Sequence, residues 1–349
     1  MAISRRAFLR RALGTAGALA LTGSVAHGGE RPRAGEPWRP AYLRLEEEGR
    51  FAERVEAAYD ILEACTLCPR GCGVDRRAGE TGVCRTGESV VVASVHPHYG
   101  EELPLVGQFG SGTIFFSNCN LRCVFCQNWP IAHEGRGDPL TIERLAEFML
   151  RLQAFGCHNV NLVTPTHVMP QILAATRLAA QNGLRIPLVY NTGGYDALEA
   201  VRLLDGVVDI YLPDLKFMDG EQAERYALAA DYPETAQRAI EEMHRQVGVL
   251  QTDGHGIALR GVMLRHLVMP NRVAGTRELV RWVADRLAPD TYVNIMAQYR
   301  VEHRAFEHPD IARAITAEEF LEAMAWAEEA GLTNLDERSL MQRDVFRRR

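Results

Sequence analysis

With 349 residues, 47% of them hydrophobic and 24% charged, the chain has enough apolar material for one large soluble domain and a small appendage. Its formal net charge of -6 and isoelectric point near 6.0 speak against a nucleic-acid partner, because phosphate binding asks for a basic face that this balance does not supply. The closing run Arg347-Arg348-Arg349 is read as a solvated end.

At the N-terminus, Ser4-Arg5-Arg6-Ala7-Phe8-Leu9-Arg10 precedes an apolar stretch from Ala12 to Leu21 and the small residues Ser24-Val25-Ala26. This is the pattern of a twin-arginine export signal over residues 1–26, and it predicts a periplasmic or other extracytoplasmic protein, with a cytoplasmic one as the alternative. The apolar stretch is too short and too rich in Gly, Ala and Thr for a stable membrane span, which wants about 20 strongly apolar residues. Residues 27–40 are rich in Gly, Pro and Arg and read as a linker.

Residues 41–111 form a predicted helical and Cys-rich subdomain. Leu43, Leu45, Phe51, Val55, Ala58, Ile61 and Leu62 recur at helical spacing, interrupted by Gly49. Cys65 to Cys84 has no periodicity, so a bound ion or cluster is expected to organise it, and Ser89–Val95 reads as a strand. His96-Pro97-His98-Tyr99-Gly100-Glu101-Glu102 reads as a polar loop on the substrate or cluster side, or as a plain surface loop. Gly110-Ser111-Gly112 marks a tight entry into the next strand.

From residue 112 to 335, short β-branched or apolar runs alternate with helical stretches. Strands are predicted at Thr113–Ser117, Asn159–Val163, Ile186–Tyr190, Val208–Leu212, Ile257–Val268 and Tyr292–Met296. Repeated strand–helix units imply parallel strands with right-handed crossovers. A full eight-unit barrel takes about 250 residues, so the fold class expected is α/β, a partial (βα)6 TIM-type barrel behind a small N-terminal Cys-rich subdomain. Residues 336–349 are left as a C-terminal tail.

The strongest chemical signal is Cys119-Asn120-Leu121-Arg122-Cys123-Val124-Phe125-Cys126, directly after the first barrel strand. Three thiolates on a short loop can each take one iron of a cubane, which leaves the fourth iron open. An amino acid can chelate that iron through its amino and carboxylate groups. Phe125, beside the third Cys, would pack against such a ligand and exclude water. Zinc is the competing reading, but a tetrahedral structural site wants a fourth Cys or His, and His133 is the near candidate.

The triplet, with an aromatic before its last Cys, resembles the signature of the radical S-adenosylmethionine (SAM) superfamily. Glu101-Glu102, Gly110-Ser111-Gly112, Phe115-Phe116, Gln127-Asn128, Asn191-Thr192-Gly193-Gly194-Tyr195, Pro213-Asp214-Leu215-Lys216 and Arg265-His266-Leu267 resemble its pyruvate formate-lyase activating enzyme-like branch. The resemblance implies a 4Fe–4S cluster on Cys119, Cys123 and Cys126, SAM as cofactor, and a low-potential electron donor as partner. It also implies reductive cleavage of SAM to a 5′-deoxyadenosyl radical, which takes hydrogen from a protein or small-molecule substrate, in an activase-like role. Asp214 and Lys216 would hold the polar end of SAM, and Asn191 and Thr192 would line its pocket. A loop ion pair and turn formers are the plainer readings of these residues. Where many members carry a Gly-Gly-Glu type motif for the SAM amino group, this chain has Thr164-Pro165-Thr166-His167, so Thr164 and Thr166 become candidates. Arg265 and His266 are adjacent on a strand, so alternation sends one of them inward.

The second constellation, Cys65-x2-Cys68-x3-Cys72-x11-Cys84, can be a structural zinc site, an auxiliary iron–sulfur cluster or, in an exported protein, disulfides. Cys157, the last of the eight cysteines, reads as a small buried hydrophobe. Against the radical SAM enzyme stands an exported iron–sulfur electron-transfer protein without SAM turnover.

Overall fold

The structure is a computed structural model that describes residues 38–348. The expected export signal and most of the linker lie outside the described residues. Among the described residues, no helix is long and apolar enough to cross a membrane.

The N-terminal helices are Ala41–Glu47 and Phe51–Asp60, parted at Gly49, whose φ of 73° is left-handed and costs a Cβ-free residue little. They lay Tyr42, Leu43, Leu45, Phe51 and Ala58 against the main core. Asp209 fastens their start, its carboxylate oxygens accepting from the Ala41 N–H at 2.8 Å and the Leu188 N–H at 3.0 Å.

The strands are β1 (Val90–His98), β2 (Ser111–Phe116), β3 (Asp138–Leu140), β4 (Val160–Val163), β5 (Leu188–Thr192), β6 (Ile210–Pro213), β7 (Gln251–Thr252), β8 (Ala258–Leu267) and β9 (Tyr292–Met296). Six of them run parallel in the order β2-β4-β5-β6-β8-β9, each crossover carrying helix, and the sheet does not close. This is the partial barrel expected from the alternating runs. It is extended by antiparallel strands: β1 pairs β2, β3 pairs β1 and β7 pairs β8. The sequence reading lacked β3 and β7, because three-residue and two-residue strands leave no periodicity to detect.

Two expectations are corrected. His96, Pro97 and His98 belong to β1 and pair with Thr113, Gly112 and Ser111, so they are not loop; β3 pairs β1 only at Val90–Val92, and the side of β1 it leaves open tolerates the Pro. The segment taken as a C-terminal tail holds a helix, Glu337–Arg347, started by Asp336, whose carboxylate accepts from the N–H groups of Arg338 and Ser339.

Successive side chains on a strand face opposite ways, and this alternation builds two layers. Leu162, Leu188, Tyr190, Tyr211, Val262, Leu264, Val293 and Ile295 pack into the core that also takes the helices. Val189, Ile210, Leu212, Met263 and Tyr292 form a second cluster with Leu105 and Ala258, an apolar floor of the barrel lumen. Two residues further along the same strands, at the C-terminal ends, the lumen-facing positions become Asn191, Asp214, Arg265 and Asn294.

Candidate active site

Cys119, Cys123 and Cys126 stand on the loop after β2, Cys123 buried and the other two half-buried, and none is in a disulfide. The loop is pinned from both sides. Asn118, with φ 71°, donates its N–H to Ile131 O at 2.8 Å, the Val124 N–H donates to Tyr226 O at 2.9 Å, and the Asn120 side chain donates to Tyr195 O at 2.6 Å. Burial first, then the neighbouring thiols, push the Cys123 thiol up to about 12 and the Cys126 thiol up to about 11, with Lys216 opposing. Neighbouring thiols with raised pKa values ionise more readily when cations share the site, and iron supplies such cations. Phe125 is buried, its ring 5.9 Å from Phe217 and 6.3 Å from Tyr299, so it forms an apolar wall behind the loop.

Across the lumen mouth the structure brings together four residues singled out from the sequence. The Arg265 guanidinium donates to Asp214 at 2.8 Å and to Asn191 Oδ1 at 2.7 Å, and Lys216 Nζ donates to the other Asp214 oxygen at 2.5 Å. Their ionic side chains are less than a fifth exposed, so the attraction is only weakly screened. Burial pushes the Asp214 carboxyl upward, but Arg265 and Lys216 outweigh it and hold it below its ordinary value. Lys216 is raised in turn, Asp214 outweighing burial.

The carboxylate of Glu101 lies 3.6 Å from Arg265 and 3.1 Å from His98 Nδ1, extending the belt to β1. The hydrogen bond from His98 to Glu101 raises the imidazole above its ordinary value. Glu102 is buried, accepts from Asn294 at 2.9 Å, and has its other oxygen without a partner; burial raises it.

Arg265 is the inward residue of its pair. His266 faces the helices, bonded to Leu215 O and Thr276 Oγ1 at 2.8 Å each, and is structural. His167 is also buried, its Nε2 at 2.8 Å from Ser117 O, beneath the cysteine loop. Thr192 and Thr166 are less free than the sequence suggested. Their hydroxyls lie 3.2 Å apart, and Thr192 donates at 2.5 Å to Asp196, a buried carboxylate that Tyr190 also reaches at 3.0 Å. Thr164 sits beside them with φ 61°, half-buried at the end of β4. Sequence reasoning missed Asp196 and Tyr232. The Tyr232 hydroxyl lies 2.9 Å from Gly193 O, Asp214 O and Lys216 N, tying the two site loops together. Gly194 completes the junction: its φ is 81° and a Cβ there would collide with Asp214 O. An Asp four residues past an Asn-Thr pair and a Tyr inside a helix carry no local signature.

With the site in place, comparison with known proteins is decisive for its class. The family profile described as "Radical SAM superfamily" matches residues 113–283, which span every lumen and loop residue named above from Thr113 to Arg265. The chain is 34% identical over 288 residues to an uncharacterized protein of Methanocaldococcus jannaschii, covering 80% of this chain and 78% of that one. A second uncharacterized protein of that organism is 25% identical over 186 residues, covering 48% of this chain and 53% of that one. Among solved structures, HydG, a maturase of the FeFe-hydrogenase, aligns with TM-score 0.42 at 14% identity over 84% of this chain and 57% of that one. Methylornithine synthase PylB aligns with TM-score 0.36 at 14% identity over 62% and 68%. The chain belongs to the radical SAM superfamily.

Proposed function

We propose that the chain is an enzyme that binds SAM beside a 4Fe–4S cluster held by Cys119, Cys123 and Cys126, and that it cleaves SAM reductively. The observation that carries this reading is the placement of three crowded thiols and the Asn191, Asp214, Lys216 and Arg265 group at the same end of the strands. When bound, cluster and cofactor supply a one-electron cleavage whose 5′-deoxyadenosyl radical takes a hydrogen atom from substrate.

The chain's own part is to bind, orient and exclude water. Asp214 and Lys216 offer a carboxylate and an ammonium to the zwitterionic end of SAM, locked in place by Arg265. Thr164 offers a hydroxyl to the SAM ammonium, whereas Thr166 and Thr192 act through their bonds to each other and to Asp196. Phe125 keeps water from the back of the cysteine loop. The substrate is a protein or a small molecule, and an activase-like action on a partner protein is the version the resemblance favours. A low-potential electron donor is the second partner. Export by the twin-arginine route rests on Arg5 and Arg6 and is tested by fractionating cells that express wild type or Arg5→Lys, Arg6→Lys chain.

The enzymatic reading is tested by incubating the reduced, reconstituted protein with SAM alone. Formation of 5′-deoxyadenosine supports it, and its absence from protein with full cluster content favours the electron carrier.

A further inference from the structure

We infer that Cys65, Cys68, Cys72 and Cys84 hold a second, anionic metal centre, an iron–sulfur cluster, for which the buried guanidinium of Arg76 is the built-in counter-ion. These four cysteines precede the residues matched to the superfamily, so the centre is additional to the one that defines the family.

The first ground is an unanswered charge. Arg76 is 1% exposed, which places it among the most deeply buried large side chains described. Its guanidinium donates to Gly87 O at 3.1 and 2.7 Å and reaches Cys65 Sγ at 3.8 Å. Among the described residues it has no carboxylate partner. An isolated buried cation is expensive, and sites keep one only when an anion shares the burial. Among the described residues Cys65 is the sole ionisable group bonded to it. Arg70, Arg85 and Arg122 stand round the same segment, likewise without a carboxylate partner among the described residues; Arg70 donates to Asn120 O at 3.0 Å and Arg122 to Val83 O. Four thiolates on a metal centre supply negative charge of the size these cations require.

The second ground is the setting of the sulfurs. The Val83 N–H points at Cys72 Sγ at 3.5 Å, and Gly82 lies so near that a Cβ there would stand 2.6 Å from that sulfur. Gly71 and Gly73, with φ of 48° and 65°, wind the chain tightly between the thiols, and Cys65 exchanges backbone bonds with Gly73 and Val74 at 3.1 and 3.0 Å. A loop closed this tightly around four cysteines, with no disulfide among them, is built around a ligand.

What favours iron over zinc is the nearness of the second centre to the first, which suits a redox pair. Zinc would draw four sulfurs to about 2.3 Å from one point. A cubane places each thiolate on a different iron and so keeps its sulfurs further apart. The two constellations share a wall: the Asn120 carbonyl takes Arg70, and its side-chain oxygen lies 3.9 Å from Cys119 Sγ.

The test is metal content and spectroscopy of the full chain after anaerobic reconstitution with iron and sulfide. Wild type should hold about eight irons and eight sulfides, twice the content of one cubane. The triple variant Cys119→Ala, Cys123→Ala, Cys126→Ala should keep about four of each and a cubane Mössbauer spectrum, and the quadruple variant Cys65→Ser, Cys68→Ser, Cys72→Ser, Cys84→Ser should keep the other four. About four irons in wild type, with stoichiometric zinc or with no second metal, would overturn the inference without needing any variant to fold. Iron retained by the triple but not the quadruple variant would instead overturn the assignment of the first cluster. Arg76→Met should move the midpoint potential of the centre left in the triple variant downward, and Arg76→Lys should restore it. An unchanged potential in both would remove Arg76 from its role as counter-ion.

Discussion

The barrel mouth and the Cys65–Cys84 segment are both dense in charge, yet they handle it in opposite ways. At the mouth, Arg265, Lys216, Asp214 and Glu101 neutralise one another at hydrogen-bonding distance within a frame of parallel strands. In the cysteine segment Arg76 is buried without a carboxylate, and the loop has neither helix nor strand to hold it. One region is complete as protein; the other is completed by what it binds.

That contrast can be broken most decisively by removing metal. Anaerobic chelation should raise amide exchange in residues 65–88 towards unfolded-chain rates while β4, β5 and β6 stay protected; equal protection before and after would erase the distinction. At the mouth, Asp214→Asn should cost about 3–5 kcal/mol of unfolding free energy, because it strands the poorly exposed Lys216 and takes from Arg265 the nearer of its two carboxylates. Denaturant melts should show the loss reduced when Lys216→Met is added.

His266 gives the barrel an acid limit of its own. Burial depresses it to about 4 from an ordinary 6.5, so the unfolded chain binds its proton more readily. Its stabilisation is full above pH 6.5 and is lost as pH falls through about 4, on the order of 3 kcal/mol. Melts from pH 7 to 4 should show this slope in wild type and a shallower one in His266→Gln. Arg76→Met sharpens the comparison by sign: by about 1–3 kcal/mol it should stabilise metal-free protein, which loses an unpaired buried cation, and destabilise the loaded form. The smallest effect is Thr316→Ala, which breaks a capping box with Glu319 on the helix Ala317–Glu329. It should cost about 1 kcal/mol whether or not metal is bound.

The legible parts of this molecule were those where one period or one spacing governs. Six parallel strands followed from β-branched runs separated by helical stretches, and the cysteine triplet from three positions. Arg265 and His266 could be separated in principle by parity, but which parity faced the lumen needed the neighbouring strands. Asp196 and Tyr232 were invisible because their partners lie on other segments, and the helix at Glu337–Arg347 because its mean hydropathy is low. The bond from Thr192 to Asp196 was hidden for the related reason that a hydroxyl's partner depends on which segments fold beside it.

The seam of the unclosed sheet has a mechanical consequence. Between β9 and the turn after β1, the gap is spanned by Glu102 with Asn294, by Ser339 with Asn294 and the Ile295 carbonyl, and by Arg338 with the Gly100 carbonyl. Rotating a few side chains unlatches such a clasp, whereas prising apart a strand ladder breaks a whole row of backbone bonds at once. The final helix therefore works as the hasp on this side of the lumen, and trimming it back should loosen the gap while leaving the parallel ladder intact.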